Sequence, residues 1–244
     1  MEQPRFQTLE ALRDFTEAHP PNRADEYAQL EKWEAETKRF LRHKKPKGQP
    51  VPNTTATPQE IIEKSREIRV FAPRTIHESY RLFLRFFEGP LPEEKILQGA
   101  FMIYGWMPTM LRIKGPKTPI LKLVEASKKG QVTEELLAAC AQVLNNSLVG
   151  TTKLIHFINP ELYPIWDSRV YRSLHRETPH PSRLEKPAAY THYQAWINEL
   201  RRHPEFPALK RRFETEAGYP VSDKRAAEAT LYSLGEKPKK PKKS

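Results

Sequence analysis

The chain has 244 residues, which is enough for one large domain or two small ones. Lysine and arginine number 41 against 30 aspartate and glutamate residues, and the formal net charge of +11 favours a polyanionic partner such as nucleic acid. The single cysteine, Cys140, excludes an intramolecular disulfide, a cysteine-based zinc site and an all-cysteine iron–sulfur cluster, and it fits a reducing, cytoplasmic setting.

The sequence predicts neither a secretory signal nor a membrane span. The first residues lack the basic and apolar regions of a secretory signal, and no apolar run approaches the roughly 20 residues that a membrane span needs. The last residues, 236–244, hold five lysines and one glutamate, so they contribute +4 of the total charge. We interpret this segment as a disordered Lys-rich tail that adds nonspecific affinity for nucleic acid.

The first part of the chain predicts two amphipathic helices followed by a linker. Apolar residues recur at helical spacing over 5–18 and 24–42, and these helices form an N-terminal helical segment, residues 1–45. Proline, glycine and basic residues without periodicity then mark 46–56 as a linker.

Residues 57–235 predict a helical core, and the fold class is all-α. Its first helix begins with Thr57 as N-cap, Pro58 in the first turn and Glu60 closing a capping box, and it is expected to run to about residue 70. Further helices are expected at 72–90, 91–108, 118–130, 133–147, 151–158, 168–175, 188–203, 206–218 and 223–235. No segment shows the alternating pattern of a strand.

A lysine near a predicted helix start raises the first question of function. The stretch NNSLVGTTKLIHFINPELYPIWDSRV, residues 145–170, predicts a helix whose first turn offers free backbone N–H groups and the positive end of the helix dipole, a seat for phosphate. That dipole disfavours the ammonium of Lys153. Lys153 is either a solvated surface residue or an amine with a lowered pKa that acts as a nucleophile.

Asp167 stands directly before the next predicted helix. An aspartate at this position is an ordinary N-cap. It is also a carboxylate able to stabilise a developing cation or to orient a nucleophile, and capping would fix its direction. The two interpretations are compatible.

Other motifs argue mainly against alternative chemistries. His156 lies between apolar neighbours and is expected to be a buried, hydrogen-bonded residue rather than a metal ligand. The sequence contains no HExxH, P-loop, GxGxxG or GxSxG motif and no clustered carboxylates, so we expect neither a metal nor a cofactor. The loop 111–119 carries Lys114 and Lys117 and is interpreted as a basic loop that touches DNA.

The central stretch resembles the helix-hairpin-helix DNA glycosylase superfamily, particularly its bacterial 8-oxoguanine DNA glycosylase-like branch. The features that carry the resemblance are a first helix at 133–147, the hairpin LVGTT at 148–152, Lys153, and a loop of prolines and aromatics that leads to Asp167. The apolar helix 96–108 and the ending 222–235 are also similar to family elements.

The resemblance implies a role for each matching residue. Lys153 would be the nucleophile and Asp167 the catalytic carboxylate, in excision of a damaged or modified base with or without abasic-site lyase activity. The hairpin would contact DNA phosphates through the backbone of Val149, Gly150, Thr151 and Thr152, with Arg169 as a further DNA contact. Trp106, Phe157 or Trp166 would line the base pocket. The partner would be double-stranded DNA, bound by a monomer.

Two other functions are compatible with the same residues. In a non-catalytic nucleic-acid-binding protein, Lys153 contacts a phosphate and Asp167 is only a cap. In a protein-interaction or toxin–antitoxin component, the positive charge meets an acidic protein. Within the glycosylase interpretation, repair and defence against foreign DNA with modified bases both remain open.

Overall fold

Helices make up the regular structure of the described part of the chain. The structure is a computed structural model, and it describes residues 54–68 and 74–236. These residues belong to one unit that begins at Val51. The predicted helices at 5–18 and 24–42, most of the predicted linker and residues 237–244 of the tail lie outside the described residues.

The prediction of an all-α fold is confirmed for the described residues. The helices are α1 (Pro58–Ser65), α2 (Arg74–Phe86), α3 (Glu93–Trp106), α4 (Thr118–Lys129), α5 (Glu134–Val143), α6 (Leu148–Ile158), α7 (Ser168–His175), α8 (Pro181–Leu184), α9 (Pro187–Arg202), α10 (Phe206–Ala217) and α11 (Asp223–Leu234). Among the helices that the structure describes, none is both long and apolar enough to cross a lipid bilayer.

Local capping signals place several helix starts where the sequence predicts them. The Thr57 side chain accepts a hydrogen bond from the Glu60 amide at 3.2 Å, and Thr133 accepts one from the Leu136 amide at 3.3 Å. The end of α1 differs from the prediction, because this helix stops at Ser65. The Ser65 carbonyl accepts a hydrogen bond from the Arg212 guanidinium, so a distant side chain satisfies a group that a longer helix would have used.

The connection between α5 and α6 corrects the predicted position of the hairpin. Helix α5 ends at Val143 and α6 begins at Leu148, so the predicted hairpin residues 148–152 belong to α6. The turn lies at residues 144–147 instead. Asn145 and Asn146 adopt left-handed backbone conformations, with φ of 57° and 54°, which asparagine tolerates better than most residues. We call residues 144–147 the Asn-Asn turn.

The Asn-Asn turn is fixed by the loop that follows α3. The Asn145 side chain accepts a hydrogen bond from the Arg112 amide and donates one to the Met110 carbonyl, both at 2.8 Å. Beside it, Ile113 and Leu144 form an isolated antiparallel bridge, and the Lys114 amide donates to the Val143 carbonyl at 3.0 Å. The turn and the loop therefore form one surface.

Helix α6 lies at the centre of the described unit, in contact with α2, α3, α4 and α5. Its residue His156 is fully buried, with Nε2 2.9 Å from the Tyr80 hydroxyl and Nδ1 2.6 Å from the Tyr163 carbonyl. A carbonyl only accepts, so Nδ1 carries the proton and Nε2 accepts from Tyr80. Burial lowers the pKa of His156 to about 3. The prediction of a buried, hydrogen-bonded histidine is confirmed.

Helix α11 packs along α7 and closes the unit near the end of the described chain. The Ser173 hydroxyl donates to the Leu231 carbonyl at 2.7 Å, and Arg172 Nε donates to the Gly235 carbonyl at 2.9 Å. A Cβ at Gly235 would overlap the backbone of Arg169, so this close approach requires glycine. The packing brings Tyr232 of α11 beside the start of α7.

Candidate active site

A wide cleft opens between the loop after α3, the Asn-Asn turn and the first residues of α7. Its volume is about 870 Å³, and we call it the outer cleft. Its lining residues are Tyr104, Trp106, Met107, Pro108, Thr109, Met110, Arg112, Lys114, Asn145, Asn146, Ser147, Val149, Lys153, Asp167, Ser168, Leu184, Glu185 and Tyr232. The lysine and the aspartate of the central stretch therefore face the same space.

A smaller cavity of about 120 Å³ lies next to the outer cleft, and we call it the inner pocket. Its lining residues are Ile76, His77, Trp106, Lys153, Ile165, Asp167, Phe213, Arg225, Ala229, Tyr232 and Ser233. Trp106, Lys153, Asp167 and Tyr232 border both spaces. These four side chains thus mark the junction between an open surface and an enclosed cavity.

Lys153 is half-buried in the second turn of α6, three residues further from the helix start than the sequence predicts. Its Nζ lies 5.3 Å from the centroid of the Trp106 ring, within the range of a cation–π contact. Burial lowers the pKa of Lys153, the charges of Asp167 and Glu228 oppose that shift, and Arg225 adds to it. Of the two interpretations of Lys153, a solvated surface residue or an amine with a lowered pKa, this shift favours the second, and burial is its largest cause.

Asp167 is the N-cap of α7, as the sequence predicts. Its Oδ1 accepts hydrogen bonds from the amides of Arg169 at 2.8 Å and Val170 at 3.1 Å. Two hydrogen bonds to one oxygen fix the orientation of the carboxylate at the junction. The carboxylate that caps α7 is therefore also one that borders both spaces.

The N-terminus of α6 differs from the predicted phosphate seat, because three of its first four amides have partners within the protein. Ser147 accepts a hydrogen bond from the Gly150 amide at 3.1 Å through its hydroxyl, and from the Thr151 amide at 3.1 Å through its carbonyl. The Glu185 carboxylate accepts a hydrogen bond from the Leu148 amide. A carboxylate of the chain itself thus binds the first amide of α6, next to the residues that we expected to contact a phosphate.

The threonines and the glycine of the predicted hairpin are packing residues in this structure. Thr151 and Thr152 are fully buried, and the Thr152 hydroxyl accepts a hydrogen bond from the Trp166 amide at 3.2 Å. A Cβ at Gly150 would overlap the phenol of Tyr104. Among the four predicted hairpin contacts, Val149 lines the outer cleft, whereas the other three do not.

Trp106 is the aromatic residue of the three candidates that lines both spaces. Phe157 and Trp166 lie in the core instead, with 2% and 0% of their surface exposed. Phe157 stacks on Phe83 with ring centroids 4.9 Å apart. The Trp166 ring lies 5.1 Å from the Tyr193 ring, and its indole N–H donates to the Leu184 carbonyl at 3.0 Å.

The predicted basic contacts occupy three different positions. Lys114 is exposed and lines the outer cleft, next to the exposed Arg112. Lys117 does not line the cleft and forms an exposed ion pair with Glu93 at 3.1 Å. The Arg169 guanidinium lies 4.4 Å from the centroid of the Tyr232 ring, at the edge of the junction.

The sequence analysis missed a buried ion pair on α11. Arg225 and Glu228 expose 6% and 2% of their surface and bind each other. The Arg225 guanidinium also lies 4.4 Å from the centroid of the Tyr80 ring. Burial raises the pKa of Glu228 to about 7, against the opposing effect of the Arg225 charge. An arginine and a glutamate three residues apart usually mark an exposed helix face, so no local signal distinguishes this pair.

His77 and Tyr232 are further residues that sequence reasoning did not single out, and both line the inner pocket.

Within residues 54–68 and 74–236, no group of three or more histidine, cysteine, aspartate or glutamate residues is arranged to hold a metal ion.

Comparisons of the chain with protein-family models, with curated proteins and with solved structures gave no significant match. The assignment of function therefore depends on the geometry and chemistry of the residues at the junction.

Proposed function

We propose that the protein is a DNA glycosylase that excises a damaged or modified base through Lys153, with Asp167 as the assisting carboxylate and with abasic-site lyase activity. The observation that carries the proposal is the position of Lys153. This lysine has a lowered pKa and stands between a wide, polar cleft and an enclosed pocket with aromatic walls, beside an oriented carboxylate. A neutral amine in such a place is a nucleophile.

The reaction starts with the target nucleotide turned out of the duplex and its base in the inner pocket. Neutral Lys153 Nζ attacks the sugar C1′, and the bond from C1′ to the base breaks. The electron pair of that bond leaves with the base, which takes up a proton. The new ammonium loses a proton, and opening of the sugar ring gives a protonated Schiff base.

Asp167 contributes charge and orientation in this scheme. Its negative charge stabilises the positive charge that develops on the sugar, and its fixed direction positions the amine. Strand cleavage follows when the Schiff base loses a proton from C2′ and the 3′ phosphate departs. Water then hydrolyses the remaining imine and regenerates Lys153.

The outer cleft supports the proposal because it offers positive charge to the DNA backbone. Arg112 and Lys114 are exposed along it, and the chain has a net charge of +11. Binding through such contacts weakens as salt concentration rises, because releasing counterions from the DNA into a more concentrated salt solution gains less free energy. Repair and defence against foreign modified DNA are both compatible with this chemistry.

Trapping with borohydride tests the proposal. The protein is incubated with labelled duplexes that carry a panel of damaged and modified bases, in the presence of borohydride, which reduces a Schiff base to a stable secondary amine. Wild type, Lys153→Met and Lys224→Met are compared. Lys224 is a matched control, because burial lowers its pKa to about 8 but it lines neither space.

We expect a covalent adduct with wild type and with Lys224→Met, and none with Lys153→Met. Base release without trapping would remove Lys153 as the nucleophile while keeping the glycosylase. Neither release nor trapping across the whole panel, together with salt-sensitive duplex binding, would instead identify a binding protein without catalysis.

A further inference from the structure

Two buried polar atoms, on residues that line the inner pocket, have no hydrogen-bond partner. They are His77 Nε2 and Arg225 Nε, and both residues line the pocket with more than nine-tenths of their surface buried. One other nitrogen of each side chain has a partner, since His77 Nδ1 lies 3.2 Å from the Tyr219 hydroxyl and Arg225 Nη1 binds Glu228. Buried polar groups are nearly always hydrogen-bonded, so two free ones beside a cavity indicate a ligand.

The walls of the inner pocket select the shape and charge of that ligand. Trp106, Phe213 and Tyr232 supply flat aromatic surfaces, which suit a planar ring. The charge of Arg225 is balanced by Glu228, to which it is bound. With the Glu228 carboxyl ionised, the pair adds no net charge to the pocket, and a neutral ring avoids the cost of burying an unpaired ion.

The two unpartnered atoms, His77 Nε2 and Arg225 Nε, also determine which hydrogen-bonding groups the edge of the ring must carry. Arg225 Nε carries a hydrogen and can only donate, so it requires an acceptor. Burial, followed by the charge of Arg225, lowers the pKa of His77, and the imidazole is neutral. We place the imidazole proton on Nδ1, where it donates to the Tyr219 oxygen, and Nε2 is then an acceptor; the other tautomer would make Nε2 a donor. A carbonyl next to a ring N–H, that is a lactam edge, supplies both complements.

We propose that the inner pocket recognises a neutral planar ring through its lactam edge, with Arg225 Nε–H donating to the carbonyl and His77 Nε2 accepting from the ring N–H. This inference rests on the proposed function, because the ring would be the base that Lys153 releases. It makes His77 and Arg225 the residues that determine which base is excised, and it disfavours rings that lack a carbonyl next to an N–H.

A binding measurement tests the recognition without any chemistry. The NMR signals of Arg225 Nε–H and of the His77 ring are followed while 1-methyluracil is added to the full chain at millimolar concentration. The matched ligand is 1,3-dimethyluracil, which has the same ring and carbonyls but no N–H. We expect saturable shifts with the first compound and at least tenfold weaker binding of the second. Equal binding of the two compounds, or no shift with either, would overturn the proposal.

Variants extend the test to both atoms. His77→Phe keeps a flat ring but removes the acceptor, and Arg225→Lys keeps the charge but removes Nε. Arg212→Lys is the matched control, because Arg212 Nε is also buried without a partner but does not line the pocket. We expect the first two variants to bind 1-methyluracil at least tenfold more weakly and the control to bind it normally. If Arg225→Lys does not fold, His77→Phe alone decides, and normal binding by that variant would overturn the inference.

Duplex substrates separate this inference from the proposed function. A duplex with an abasic site offers a sugar for Lys153 but no base to recognise. Both proposals are supported if wild type and His77→Phe are both trapped on this duplex, while His77→Phe alone fails to excise the base from a duplex that carries one. Unchanged excision by His77→Phe would overturn the recognition and leave the glycosylase intact. No trapping by wild type on any duplex would overturn the proposed function itself.

Discussion

The outer cleft and the inner pocket share Trp106, Lys153, Asp167 and Tyr232, but they differ in most other physical properties. The cleft is wide, is bordered by exposed Arg112 and Lys114, and is shaped by backbone turns. The pocket has about one-seventh of the volume of the cleft, is walled by aromatic rings and is lined by Arg225, one partner of a buried ion pair.

The difference separates two kinds of recognition. Exposed cations bind any phosphate backbone and lose affinity when salt screens them, so they supply strength without selectivity. Buried polar atoms between apolar walls accept few ligands, because any mismatch leaves a group without a partner. Substitutions in the outer cleft should therefore change the salt dependence of DNA binding, whereas substitutions at the inner pocket should change selectivity. We expect substitutions at the inner pocket to have the larger effects.

Asp167→Asn is expected to have the largest effect. Asparagine caps helices about as well as aspartate, so the free energy of unfolding should hardly change. The loss of negative charge at the developing cation should slow trapping by about a thousandfold. Because the charge of Asp167 raises the pKa of Lys153, its loss should also move the midpoint of the pH profile of trapping to lower pH. A full rate in this variant would reduce Asp167 to a cap.

Glu228→Ala tests the buried ion pair on the inner side. The substitution leaves the Arg225 guanidinium buried without its carboxylate, and the free energy of unfolding should fall by about 3 kcal/mol in urea denaturation. Glu125→Ala is the matched control, because Glu125 pairs with Lys128 at the same three-residue spacing but on the surface. Exposed pairs contribute little, so the control should unfold almost like wild type. Equal losses in the two variants would contradict the importance of burial.

His156, a core residue that lines neither space, makes the stability of the fold sensitive to acid. Its pKa is about 3 in the folded protein and about 6.5 when exposed, so between these values the unfolded chain binds a proton that the folded chain does not. Stability is therefore lost as pH falls below 6.5, by about 2 kcal/mol between pH 7 and pH 5. His156→Gln should remove this part of the pH dependence, measured as the difference between the two unfolding curves. Parallel curves for the two proteins would show that His156 is not responsible.

Glu185→Gln should have the smallest effect, and it should strengthen a property of the protein, duplex binding, whereas the other substitutions weaken one. Glu185 lines the outer cleft and binds the Leu148 amide, and removing its charge should strengthen duplex binding by about two- to fivefold at low salt. The amide oxygen of glutamine can still accept from Leu148, so stability should change little. Glu161→Gln, an exposed residue outside the cleft, is the control and should bind like wild type. Weaker binding by Glu185→Gln would argue against DNA in the cleft.

Local signals predicted much of the fold and part of the site. Helix starts at Thr57, Thr133 and Asp167 follow from side chains that cap the next few amides, and such contacts depend only on neighbouring residues. The start of α6 was misplaced, because Ser147 caps it after two asparagines in a conformation that the sequence does not specify uniquely.

The remaining differences come from long-range packing. The three aromatic candidates are chemically alike: Trp106, Phe157 and Trp166. Which of them borders a cavity depends only on the residues that each one packs against. The burial of Arg225 and Glu228 likewise depends on Tyr80, which is distant in the sequence. A local pattern cannot indicate such neighbours.

Gly150 has a consequence for how related chains would diverge. A side chain there would displace the phenol of Tyr104, whose hydroxyl donates to the Leu144 carbonyl at 2.7 Å and so holds the Asn-Asn turn. Positions 104 and 150 are thus coupled by volume, although 46 residues separate them. Relatives that keep this turn should retain the tyrosine and the glycine as a pair, and a lineage that lost one would be expected to change the other.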